Sequence, residues 1–108
     1  MRRTYALVQV ALALMADASG WHWGYELSKR SGVRSPVMYR ILQAMLDEGW
    51  LADGWEEQPQ AGRAKRPPRR YYELTNAGKI ELGAVIAEAR RDTRFRALTA
   101  PQAAGMPA

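Results

Sequence analysis

The sequence of 108 residues contains no cysteine and only one histidine, His22. The first absence excludes disulfide frameworks, Cys-ligated zinc, iron–sulfur clusters and thiol nucleophiles. The second means that a Ser–His or His–carboxylate constellation would have to be built around His22 alone. No glycine-rich phosphate loop of either the P-loop or the dinucleotide spacing is present. The usual parts of an enzyme are missing, so the expectation is a non-enzyme with no catalytic residues, no metal and no cofactor.

Long hydrophobic runs are also lacking. The longest nearly apolar stretch covers residues 5–16, is interrupted by Gln9, and is too short to span a bilayer. Arg2-Arg3, that stretch and Ala16-Asp17-Ala18 imitate the three regions of a secretory signal. The interruption at Gln9 and the absence of any following cysteine favour a buried helix in a cytoplasmic protein with no membrane partner.

Charge is plentiful but uneven. Sixteen Lys and Arg stand against eleven Asp and Glu, for a net +5. Residues 59–72 hold Arg63, Lys65, Arg66, Arg69 and Arg70 and no acid; the remainder balances. A basic patch on an otherwise neutral domain points to a polyanionic partner. The length suits one small domain, marginal alone, for which dimerisation is a natural remedy.

Residues 4–16 are apolar on nearly every face, as in a helix buried on more than one side. The second side is expected to meet another subunit. A short helix over residues 23–31 follows, stopped by Gly32. After the tight Val33-Arg34 connection, Ser35 reads as an N-cap with Pro36 in the first helical position. Met38, Ile41, Leu42 and Met45 form the inward stripe of this third helix, and Gly49 ends it. Residues 51–57 and 69–74 read as two strands, the second alternating Arg70, Tyr72 and Leu74 against Tyr71 and Glu73. Thr75 caps a last helix running to about residue 97, with Ile80, Leu82, Val85, Ile86 and Ala89 apolar. Gly78 and Gly83 within it suggest close packing or a weakened helix. Trp50 and Trp55 are expected in the core. Trp21 and Trp23 are read as packing, and His22 as structural.

This order predicts a mainly α fold with a small β-hairpin: a winged helix-turn-helix plus a C-terminal dimerisation helix. The expected divisions are a DNA-binding unit over residues 1–75 with a wing loop at about 58–68, a dimerisation helix at 76–98, and a disordered tail at 99–108. The third helix would enter the major groove. Arg40 has the donor fork for guanine, and Gln43 the paired donor and acceptor for adenine. Ser35 and Tyr39 suit phosphates, Val37 suits a thymine methyl, and Pro36 lies on the same side. In the wing, Arg63, Lys65 and Arg66 can reach phosphates or the minor groove. Tyr25, Arg34, Arg69 and Arg70 are candidates for holding the DNA backbone. Against this stand three alternatives: a non-specific architectural DNA-binding protein, an RNA-binding protein, and a protein-interaction winged helix whose basic loop is incidental.

Three stretches resemble the PadR family of transcriptional regulators. They are Trp23-Gly24-Tyr25-Glu26-Leu27; Ser35-Pro36-Val37-Met38-Tyr39-Arg40-Ile41-Leu42 with Leu46-Asp47-Glu48-Gly49-Trp50-Leu51; and Arg70-Tyr71-Tyr72-Glu73-Leu74-Thr75-Asn76-Ala77-Gly78. Together with Trp55-Glu56 they fall in the family's order over about residues 5–90. The resemblance implies a homodimer formed through the first and last helices, binding a palindromic operator on double-stranded DNA as a repressor. The residues that would form that interface are Leu7, Val8, Ala11, Leu82, Val85, Ile86 and Ala89. Some family members release DNA when a small aromatic compound binds near the dimer interface, so the resemblance allows a small-molecule inducer. Here the last helix is short, as in the compact branch of the family, and its only large aromatic is Phe95.

Overall fold

The computed structural model describes residues 1–57 and 67–100. Helix α1 (Tyr5–Met15) begins where the Thr4 hydroxyl accepts a hydrogen bond from the Leu7 amide at 3.1 Å. Leu7, Val8, Val10, Ala11, Ala13 and Leu14 are all buried by the chain itself, because α1 packs against the second, third and fourth helices. Its apolar girth is therefore used within one chain, and a second subunit is not needed to cover it.

The next element is a short strand, β1 (His22–Trp23), which runs directly into helix α2 (Gly24–Ser31). Trp23 is thus a strand residue rather than the first residue of a helix. Gly32 closes α2 at φ 78°, a left-handed conformation that a side chain would strain. The Ser28 hydroxyl donates to the Val33 carbonyl and fixes the turn. Helix α3 (Ser35–Asp47) then starts one residue earlier than expected. Arg34 occupies the cap position with no side-chain capping bond, so Ser35 is inside the helix and its hydroxyl is not spent on a cap. Met38, Leu42 and Met45 are fully buried, while Ile41 is half-buried at the flank.

Gly49, at φ 76°, turns the chain into β2 (Leu51–Trp55), which pairs antiparallel with β3 (Arg70–Leu74). The strands are shorter than the 51–57 and 69–74 expected. β1 joins the other edge of β3, with His22 opposite Tyr72, so the sheet has three strands in the order β1-β3-β2. The wing-loop segment 58–66 lies outside the described residues.

Thr75 caps α4 (Asn76–Arg90) by accepting from the Gly78 amide at 3.0 Å, while its hydroxyl donates to the Gly49 carbonyl at 2.7 Å. One residue therefore joins the end of the sheet, the exit of α3 and the start of α4. Gly78 is required there: a Cβ would stand 1.9 Å from the Trp50 carbonyl oxygen. Gly83 has no such neighbour, and close packing does not explain it. The last helix stops at Arg90 instead of near residue 97. A 3-10 turn (Thr93–Phe95), capped by the Asp92 carboxylate, leads into α5 (Arg96–Thr99). Thr99 is therefore helical, and the remainder of the predicted tail, 101–108, lies outside the described residues.

The architecture is a winged helix, mainly α with a three-stranded antiparallel sheet. A single core runs from α1 through α2, α3 and the sheet to α4 and Phe95. Among the described residues no helix is long and apolar enough to cross a membrane.

Candidate nucleic-acid interface

The inward stripe of α3 leaves the opposite ridge to solvent. Ser35, Pro36, Tyr39, Arg40 and Gln43 are exposed and Val37 is half-buried. Arg40 makes no side-chain hydrogen bond or ion pair among the described residues, nor does Arg34 at the start of the helix. Gln43 is different. Its amide nitrogen donates to Asp47 Oδ1 at 3.0 Å one turn on, so a bidentate contact to adenine requires that bond to open.

Tyr39 leans towards the sheet. Gly24 makes room for it, since a Cβ at that position would lie 2.5 Å from the Tyr39 hydroxyl and 2.8 Å from its ring. Tyr39, Trp23, Tyr25, Tyr72, Arg69 and Arg70 line a cleft of about 320 Å³ between α2, α3 and β3. Burial pushes the Tyr72 hydroxyl pKa above its ordinary value, partly opposed by the charge of Arg70. Tyr25 is exposed, with the Lys29 ammonium 5.2 Å from its ring centroid. The buried Trp23 Nε1 has no hydrogen-bond partner among the described residues.

The two arginines at the base of the wing are held in place. Arg69 donates from its backbone amide and its guanidinium to the Glu56 carboxylate at 2.9 to 3.4 Å, and its guanidinium lies 5.1 Å from the Trp23 ring. Arg70 pairs with Asp53 at 2.6 Å and covers the Tyr72 ring. Arg63, Lys65 and Arg66 lie outside the described residues. Among the described residues no cluster of ligating side chains could hold a metal ion.

The aromatic residues divide differently from expectation. Trp50 is core, but Trp55 is 66% exposed and Trp21 stacks on Tyr71 at 4.1 Å on the outer sheet surface. His22 is fully buried. Arg30 donates to its Nδ1 and Nε2 donates to the Asp17 carbonyl, both at 2.9 Å, which fixes the neutral tautomer. Desolvation is the largest influence and lowers its pKa below 6.5; the hydrogen bond to the Asp17 carbonyl opposes it in part, and the Arg30 charge lowers it further.

Leu7, Val8, Ala11, Leu82, Val85, Ile86 and Ala89, the residues expected at a subunit interface, are all buried inside one chain, chiefly where α1 meets α4. Ile80, expected on the apolar side of α4, is instead 72% exposed. It shares the outer face with exposed Ala77 and Ala84. A second basic group also emerges: Arg90, Arg91, Arg94 and Arg96 gather around the 3-10 turn, and among the described residues only Arg94 has an acidic partner, Asp92. Counting charges along the whole chain hid this group.

The transcriptional regulator PadR-like family matches residues 12–84. Among solved structures, the chain is similar to a PadR family transcription regulator from hypervirulent Clostridium difficile R20291. The two are 21% identical with a TM-score of 0.63, over 83% of this chain and 94% of the other. A protein from Streptococcus mutans UA159 is 20% identical with a TM-score of 0.63, over 93% of each chain. No curated protein matches the sequence.

Proposed function

Because this chain belongs to the transcriptional regulator PadR-like family, whose members are DNA-binding regulators and not enzymes, we propose that it is a cytoplasmic homodimeric repressor of a palindromic operator. The observation that carries this reading is the cleared ridge of α3. It exposes Arg40 without a side-chain partner among the described residues, with Ser35 and Tyr39 beside it. An unpaired guanidinium on the outer face of a second helix-turn-helix helix suits bidentate contact with guanine. Ser35 and Tyr39 serve as phosphate donors, and Val37 and Pro36 provide apolar contact at the groove edge. Arg34, Tyr25 and the wing residues Arg63, Lys65 and Arg66 add backbone contacts. Arg69 and Arg70 act mainly by tying the strands of the sheet to one another.

One chain presents one recognition helix and so reads one half-site. The solvent-facing stripe Ala77, Ile80 and Ala84 on α4 supports pairing with a second copy, since small residues around an exposed isoleucine let two helices approach closely. The result is two recognition helices about 34 Å apart, one DNA turn, and repression by occupying the operator.

Selection from random DNA, followed by a salt series on the enriched duplexes, tests this. The expected result is a symmetric site with half-sites one turn apart, bound by two chains. Absence of enrichment, with binding governed by salt alone, would replace the repressor with an architectural protein.

A further inference from the structure

The cleft of Tyr39 and the sheet lies on one flank of α3. On the other flank, a second cleft of about 260 Å³ runs between α3 and the segment preceding α1. Arg2 and Thr4 form one wall, and Val37, Arg40 and Ala44 form the other. Among the described residues the lining includes two guanidinium groups and no carboxylate. Arg2, like Arg40, is exposed and makes no side-chain hydrogen bond or ion pair among the described residues.

The placement of Arg2 has a local cause. The Thr4 amide donates to the Arg2 carbonyl at 3.0 Å, which folds the segment into a turn just before the α1 cap. Arg3 is directed the other way: its Nε donates to Glu88 on α4 at 3.0 Å, and its Nη1 donates to the Met1 carbonyl. Consecutive arginines therefore diverge, one anchored to α4 and the other left beside the recognition helix. The α1 N-terminus adds positive partial charge to the same flank. Two like charges facing one open cleft repel unless an anion lies between or across them.

We propose that residues 1–4 form a second DNA-backbone clamp, in which Arg2 takes a phosphodiester on the flank of α3 away from the wing. The recognition helix is then bracketed by a basic contact on each side. Arg3 and Glu88 position the clamp without touching DNA. This inference rests on the DNA-binding reading of α3 and extends it to a segment that the sequence motifs leave out.

The test uses the full chain with two duplexes of equal length, one enriched by selection and one scrambled. Arg2→Ala should weaken binding to both by about tenfold at low salt. It should also reduce the slope of log K against log salt by about 0.9 for each lost contact, counted on both subunits. Arg2→Lys should restore most of that slope. Glu88→Gln raises the net charge, so charge alone requires tighter binding; loss of the anchor predicts weaker binding. An unchanged slope in Arg2→Ala, or tighter binding by Glu88→Gln, overturns the clamp. If the wild type prefers neither duplex, specific regulation fails, while the Arg2 slope on scrambled DNA still decides the clamp.

Discussion

Arg70 and Arg40 carry the same guanidinium group, one on the sheet and one on α3, yet their surroundings are opposite. Arg70 pairs with Asp53 at 2.6 Å and lies over the Tyr72 ring, and its neighbour Arg69 is held by Glu56 and Trp23. Among the described residues Arg40, on α3, has no side-chain hydrogen bond or ion pair, and neither has Arg34 at its cap. An arginine already held by a carboxylate must exchange one charged partner for another when DNA arrives, with little net gain. A free arginine gives up only water. The sheet arginines are thus tied down, and the α3 ridge is left open, as the proposed reading of DNA requires.

Breaking the scaffold should have the largest effect, and it should appear as stability. Gly78→Ala drives a methyl into the Trp50 carbonyl at the joint between the sheet, α3 and α4. Urea denaturation is expected to show a loss of about 3 kcal/mol, because backbone cannot shift as a flexible side chain can. An unchanged midpoint would mean that this joint is loose.

A smaller effect is expected from Arg70→Ala. The pair with Asp53 is partly exposed, so its removal should lower stability by about 0.5–1 kcal/mol. It should weaken binding to enriched and scrambled DNA by similar small amounts. A selective loss on enriched DNA would move Arg70 from the scaffold to the reading surface.

Smaller again is a pH-dependent contribution from the scaffold side. His22 is buried opposite Tyr72, and its folded-state pKa lies below the 6.5 of the unfolded chain. The unfolded state therefore binds a proton more readily as pH falls. Stability from this group is fully present above about pH 6.5 and declines below it, towards the depressed folded value. Protonation would oppose Nδ1 to the Arg30 guanidinium. His22→Gln should be less stable at neutral pH and lose this part of the acid slope; an identical slope in both proteins would remove His22 as its source.

How much of this was readable beforehand differs by element. The Thr75 cap, the glycine stops at Gly32 and Gly49, and the Met38–Leu42–Met45 stripe follow from local chemistry and were legible. β1 was not, because two residues carry no periodicity and the strand exists only through its pairing with Tyr72. The break after Arg90 also escaped notice. Asp92 caps a new turn there, although the surrounding residues are ordinary helix formers. The apolar residues of α1 and α4 were recognised, but a stripe does not reveal whether its own chain or a second copy will cover it. Ile80, on the opposite face of α4, is left exposed. For the site, residue types and order indicated Arg40, Gln43 and the wing. The Gln43–Asp47 bond spans a single turn of α3 and was within reach of the spacing, whereas the carboxylates holding Arg69 and Arg70 and the cleft beside Arg2 depend on tertiary placement.

The central claim is that sequence choice resides in the unpartnered ridge of α3. The most direct measurement is the affinity of Arg40→Ala for enriched and scrambled duplexes at one salt concentration, beside the wild type. The account predicts a loss of about 1–3 kcal/mol on the enriched duplex, little loss on the scrambled one, and stability within about 0.5 kcal/mol of wild type. Equal losses on both duplexes would contradict it and reduce Arg40 to a phosphate contact.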